Sequence, residues 1–204
     1  MFGIIRKTAQ ALTLAGTLAL LSTGAQAASA TFASTGAETS IPYGWLDFCA
    51  RYAGECPDDM LAPRPIEFSP QAMRQIRAVN AYVNRTVEPV SDMDHWGVID
   101  QWDYPTDSKG DCEDYALMKR RMLMKAGFPR QALLMTVVKE KNGDGHAVLM
   151  VKTTHGDFVL DNLSEEVRLW NETPYRFVKR QSEENPSIWV SIGAPTNAPD
   201  YVSK

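Results

Sequence analysis

The chain has 204 residues, a formal net charge of −4 and 44% hydrophobic residues, enough for one ordinary domain with its own core. An acidic chain without a basic stripe is a poor candidate for nucleic-acid binding. No internal repeat or low-complexity block is present.

The first segment reads as a targeting signal. Arg6 and Lys7 precede an uncharged apolar stretch from Ala11 to Leu21, and Ala25-Gln26-Ala27 supplies a small-x-small cleavage site. That stretch is shorter than the roughly 20 residues a spanning helix needs. Residues 1–27 are therefore expected to be a signal peptide cut after Ala27, with Ala30 as the second choice, leaving no transmembrane segment. Residues 28–40 read as a polar, disordered lead-in, and 41–204 as the domain.

Tyr43 to Tyr52 can form a short helix with Trp45, Phe48 and Cys49 on one side. Cys49 and Cys56 lie close in sequence, and in an exported protein they are expected to form a disulfide. Cys112 is then an unpaired thiol that calls for a role. Ser69-Pro70 marks a helix start, with Met73, Ile76, Val79 and Val83 at helical spacing. Thr86 to Gly110 is long and irregular, with Trp96, Trp102 and Tyr104, as segments lining functional clefts often are.

A helix from Cys112 to about Lys125 stops at Gly127. Its later turns hold Lys119, Arg120, Arg121 and Lys125, read as a solvated basic face suited to the helix C-terminus. After it the periodicity changes to strands: 132–140, 146–152, 157–162, 176–181 and 188–192. Helices first and strands afterwards give an α+β domain, one face of an antiparallel sheet packed on the Cys112 helix.

The chemistry gathers at Cys112, His146 and Asp161. A thiol at a helix N-terminus, with an imidazole and a carboxylate from a hairpin, outlines a nucleophilic triad. If the turn centres on Thr154-His155, Lys152 pairs with Asp157 and Asp161 falls opposite Val148, a diagonal neighbour of His146. A turn on His155-Gly156 separates them by a further pair, and a one-residue slip sends them to opposite faces. The first register is expected. His95 and His155 read as surface residues, and the spacing supplies no zinc site. Asp111, Glu113 and Asp114 crowd the thiol with negative charge. Capping accounts for one of them, or Asp111 and Glu113 share a hard cation through oxygen ligands.

Gly110-Asp111-Cys112-Glu113-Asp114-Tyr115-Ala116, Gly145-His146-Ala147-Val148 and Phe158-Val159-Leu160-Asp161-Asn162 resemble the bacterial transglutaminase-like cysteine peptidases, the family of the LapG-type periplasmic proteases. The Phe48-Cys49 to Cys56 segment and Asp94-His95-Trp96-Gly97 extend the resemblance over most of the domain. It implies a papain/transglutaminase-like core, with Cys112 as nucleophile, His146 as base and Asp161 orienting it. It also implies Ca²⁺ at Asp111 and Glu113, a periplasmic location, a protein substrate such as a surface adhesin, and an inner-membrane receptor. The oxyanion would meet the Cys112 N–H and a second donor, the Trp102 indole or an amide of 101–110. A transglutaminase or amidase acting on glutamine side chains, or an inactive binding module on the same fold, fits the same residues.

Overall fold

Helical and strand sequence separate along the chain. In the computed structural model, residues 1–3, 31–193 and 202 are described. The first part gives strand β1 (Thr35–Thr39), helix α1 (Tyr43–Arg51) and helix α2 (Pro70–Thr86). A short strand β2 (Glu88–Pro89), a one-turn helix α3 (Asp92–His95), strand β3 (Lys109–Gly110) and helix α4 (Cys112–Lys125) follow. The remainder is β: β4 (Leu133–Lys139), β5 (Gly145–Thr153), β6 (Gly156–Leu160), β7 (Arg168–Leu169), β8 (Arg176–Gln181) and β9 (Trp189–Ile192).

Local signals set the helix ends. The Ser69 hydroxyl accepts from the Ala72 N–H at 3.1 Å and Pro70 opens α2. Past α4, Gly127 takes a φ of +91°, while the Phe128 N–H reaches back to the Leu123 carbonyl at 3.1 Å. That left-handed residue ends the helix, and glycine adopts it without a Cβ penalty.

Seven strands form one antiparallel sheet in the order β1-β9-β8-β4-β5-β6-β7. On one face, Ala116, Leu117 and Leu123 of α4 pack with Met135, Val137, Ala147, Leu149 and Leu160. The other face buries Leu134, Val138, Val148, Met150, Val159 and Phe177, with Trp170 and Tyr175 against them. Both faces of β4 and β5 are therefore buried, which is why they read as unbroken apolar runs. Lys152 pairs with Asp157 and Leu149 with Leu160, the register of a turn on Thr154-His155. The Cys49–Cys56 disulfide is formed, with Cys112 free and buried.

Two expectations are corrected. The stretch 28–40 is not wholly a disordered lead-in, because Thr35–Thr39 is the edge strand β1, paired with β9. Main-chain bonds hold it rather than an apolar face: four of its five residues are exposed. Just before it, the Ala33 N–H donates to Asp157 Oδ2 at 2.8 Å and the Asp157 N–H to the Thr31 carbonyl at 2.8 Å. Polar sequence gives no periodic sign of such anchoring. Secondly, the basic face of α4 is not solvated at Lys119 and Arg120, which are 0% and 1% exposed. Helix α4 is central, covered by the sheet, α2 and the α1 segment. Arg120 lies over the Trp45 ring, with Glu55 at 3.6 Å. The expected signal peptide falls almost wholly in residues 4–30, outside the described residues. No described helix is long and apolar enough to cross a membrane.

Candidate active site

Cys112 is the first residue of α4, so its backbone N–H belongs to a helix end with no intrahelical acceptor. Cys112 is 1% exposed, and its sulfur accepts from the Ala147 N–H at 3.4 Å, which brings the start of β5 to the helix N-terminus. The thiol itself donates to Glu113 Oε2 at 3.1 Å.

His146, the second residue of β5, is fully buried and its Nε2 meets Asp161 Oδ1 at 2.9 Å. A carboxylate can only accept, so Nε2 carries the proton and Nδ1 is the basic nitrogen. Nδ1 has no hydrogen-bond partner among the described residues. Burial opposes the imidazolium, but the Asp161 hydrogen bond and the nearby Cys112 sulfur outweigh it and push the His146 pKa up to about 10. Asp161 follows the last residue of β6. Burial would raise its pKa, but the His146 and Tyr175 bonds hold it below the usual carboxylate range. The structure thus brings Cys112, His146 and Asp161 to one place.

The acids form a second cluster beside the sulfur. Asp92, Asp111, Glu113 and Asp114 are each at most 2% exposed. Oxygens of Asp92, Asp111 and Asp114 lie within 4.8 Å of one another, as do those of Asp92, Asp100 and Glu113. Among the described residues no basic side chain pairs with Asp92, Asp100, Glu113 or Asp114. Burial pushes Asp92 and Asp100 up to about 6, and burial with the neighbouring charges raises Glu113 and Asp114 well above the carboxylate range. Asp92 Oδ1 and Glu113 Oε1 are buried with no donor. Capping does not explain Asp111, whose side chain makes no cap bond to α4 and instead accepts from the Asp92 N–H at 3.1 Å. All-oxygen donors in a buried, uncompensated cluster suit a hard divalent cation.

Other expectations fare differently. The Trp102 indole is not an oxyanion donor: it donates to Asp100 Oδ1 at 2.9 Å and is wholly buried. His155 is exposed, while His95 is half-buried against Asp107 at 2.9 Å. Sequence reasoning missed Asp92 and Asp100, which come from the irregular 86–110 segment, and Tyr175, which donates to Asp161 Oδ2 at 2.5 Å. The density of acids between Asp92 and Asp103 was the available signal.

Among solved structures, calcium-bound LapG of Legionella pneumophila is similar at 23% identity with a TM-score of 0.52, over 65% of this chain and 77% of that one. Legionella pneumophila LapG in a second structure gives 25% identity and a TM-score of 0.50, over 61% and 71%. Among curated proteins, no sequence matches. The family described as bacterial transglutaminase-like cysteine proteinase matches residues 35–197, most of the chain. This chain therefore belongs to the bacterial transglutaminase-like cysteine proteinases, and it is a cysteine peptidase of transglutaminase-like fold.

Proposed function

We propose that the chain is an exported endopeptidase that cuts a protein substrate, such as a surface adhesin, through Cys112, His146 and Asp161. The observation that carries this reading is the 2.9 Å His146–Asp161 bond beside a sulfur held by the Ala147 N–H at 3.4 Å. The Cys112 proton passes to His146 Nδ1, giving a thiolate–imidazolium pair that the raised His146 pKa favours, and Asp161 fixes the ring's orientation and steadies the imidazolium. The thiolate adds to the peptide carbonyl, and the Cys112 N–H at the end of α4 donates to the oxyanion. The imidazolium then protonates the departing amine. Water, deprotonated by His146, hydrolyses the thioester and restores the thiol. Here the thiol donates to Glu113 rather than to His146 Nδ1, and catalytic hydrogen bonds commonly tighten only with substrate.

Calcium is the cation that the acidic cluster fits best outside the cytoplasm, and one similar structure is of a calcium-bound protein. Asp111 and Glu113, with Asp92, Asp100 and Asp114, would hold it. Bound there, it would neutralise the buried acids and brace the loop entering α4. Residues 1–27 as a signal peptide and an inner-membrane receptor for the folded domain complete a periplasmic reading.

The test compares surface and secreted proteins from cells carrying wild type or Cys112→Ala. A shortened protein that appears only with the wild type is the expected result. Amine incorporation into glutamine side chains without backbone cleavage would replace this reading with transamidation.

A further inference from the structure

Asp161 sits one residue beyond β6, where no ladder bond fixes it. Three bonds besides the one to His146 do, and others hold the residues just after it. The Leu163 N–H donates to Oδ1 at 3.0 Å, the oxygen that also faces His146. The Tyr175 hydroxyl donates to Oδ2 at 2.5 Å. From α2, Asn84 Nδ2 donates to the Asp161 carbonyl at 2.9 Å and to the Ser164 carbonyl at 3.1 Å. One turn earlier, Asn80 Nδ2 donates to the Ser164 and Glu165 carbonyls, both at 3.1 Å. Side chain and backbone of Asp161 are thus gripped from two other parts of the chain.

The geometry points to Tyr175 and Asn84 as positioning residues that hold the Asp161 carboxylate in line with the His146 ring, an inference that rests on the triad reading above. A carboxylate bonded only through Oδ1 can swing about its terminal torsion, which is broad and soft. With Oδ2 held by Tyr175, that swing breaks a charge-assisted bond. The Tyr175 ring also lies 5.4 Å from the His146 ring, centroid to centroid, covering the pair. Asp161 and Tyr175 both line a cleft of about 240 Å³, with Val159, Leu163 and Pro174 among its other walls. Solvent in that cleft would compete for Oδ2 if the hydroxyl were absent. Asn84 acts on the backbone: without it, the hydrogen bonds from α2 to this segment among the described residues come from Asn80.

The test needs no substrate. Alkylation of Cys112 by iodoacetamide is timed near neutral pH in calcium-containing buffer, for wild type, Tyr175→Phe, Asn84→Ala, Asp161→Asn and the two double variants with Asp161→Asn. Tyr175→Phe keeps the ring and removes one bond to a charged group, so the rate is expected to fall about tenfold. Asn84→Ala should lower it in the same direction. Neither change should matter by more than about twofold once Asp161 is Asn, because residues acting through one partner are not additive. Thermal midpoints establish that each variant is folded, and if Asn84→Ala is not, Tyr175→Phe decides alone. An unchanged rate in Tyr175→Phe, or the same loss in the Asp161→Asn background, overturns the positioning role. His146→Ala alkylating at the wild-type rate is a separate outcome, which sinks the triad itself and the clamp with it.

Discussion

At the scale of single residues, His146 carries a proton that the unfolded chain would release. Its folded pKa of about 10 lies above the ordinary 6.5, so the stability it contributes is complete below about pH 6.5 and is lost as pH rises through about 10. Denaturant midpoints of wild type and His146→Ala should therefore converge between those limits as the pH is raised; parallel curves would deny the Asp161 pairing. Glu113 is the opposite case, a buried carboxylate whose ionised form nothing basic compensates. Glu113→Gln should stabilise the calcium-free protein, by about 1 kcal/mol or more, while weakening calcium binding. Chelated and calcium-loaded melts of the two proteins give both numbers. The sequence revealed Cys112, His146 and Asp161 because helix-start and strand-period signals surround them. Tyr175 lies after an irregular stretch with no period to count from, so its approach to Asp161 was invisible.

Among the elements, α1 matters to the site although it holds none of its residues. Arg51 donates to Asp103 at 2.7 Å and to the Trp102 carbonyl at 2.6 Å, and the Gly44 N–H donates to Asp100 at 3.2 Å. The disulfide fastens the end of this helix. Cys49→Ser with Cys56→Ser should lower stability by about 2.5 kcal/mol, the entropy of so small a loop. It should also weaken calcium binding, because the 100–103 segment loses its support. Calorimetric titration of the double variant measures this; unchanged affinity would detach α1 from the cluster. Helices α2 and α4 and the β4-β5-β6 meander were legible from caps and period. β1, α3 and β7 were not, being short, polar and held by the backbone or by single side chains.

Across the whole molecule, the acids of the cluster come from α3, the 100–103 segment and the start of α4, so a cation there joins three separate pieces of the 92–114 stretch. Calcium at about 100 times its dissociation constant should add about 2.7 kcal/mol to global stability. Thermal unfolding with chelator and with added calcium reads it, and coincident curves would remove the cation. The α+β class was legible because helical and strand stretches separate along the chain. The burial of Lys119 and Arg120 was not, since nothing local says that α4 has neighbours all round.

Strand β1 has a practical corollary. A recombinant form starting at residue 41 would strip the outer rung from the sheet and bare the hydrogen-bonding rim of β9 between Trp189 and Ile192. Naked rims recruit strands from other molecules. Such a product should elute from a sizing column as larger species than one starting at residue 28.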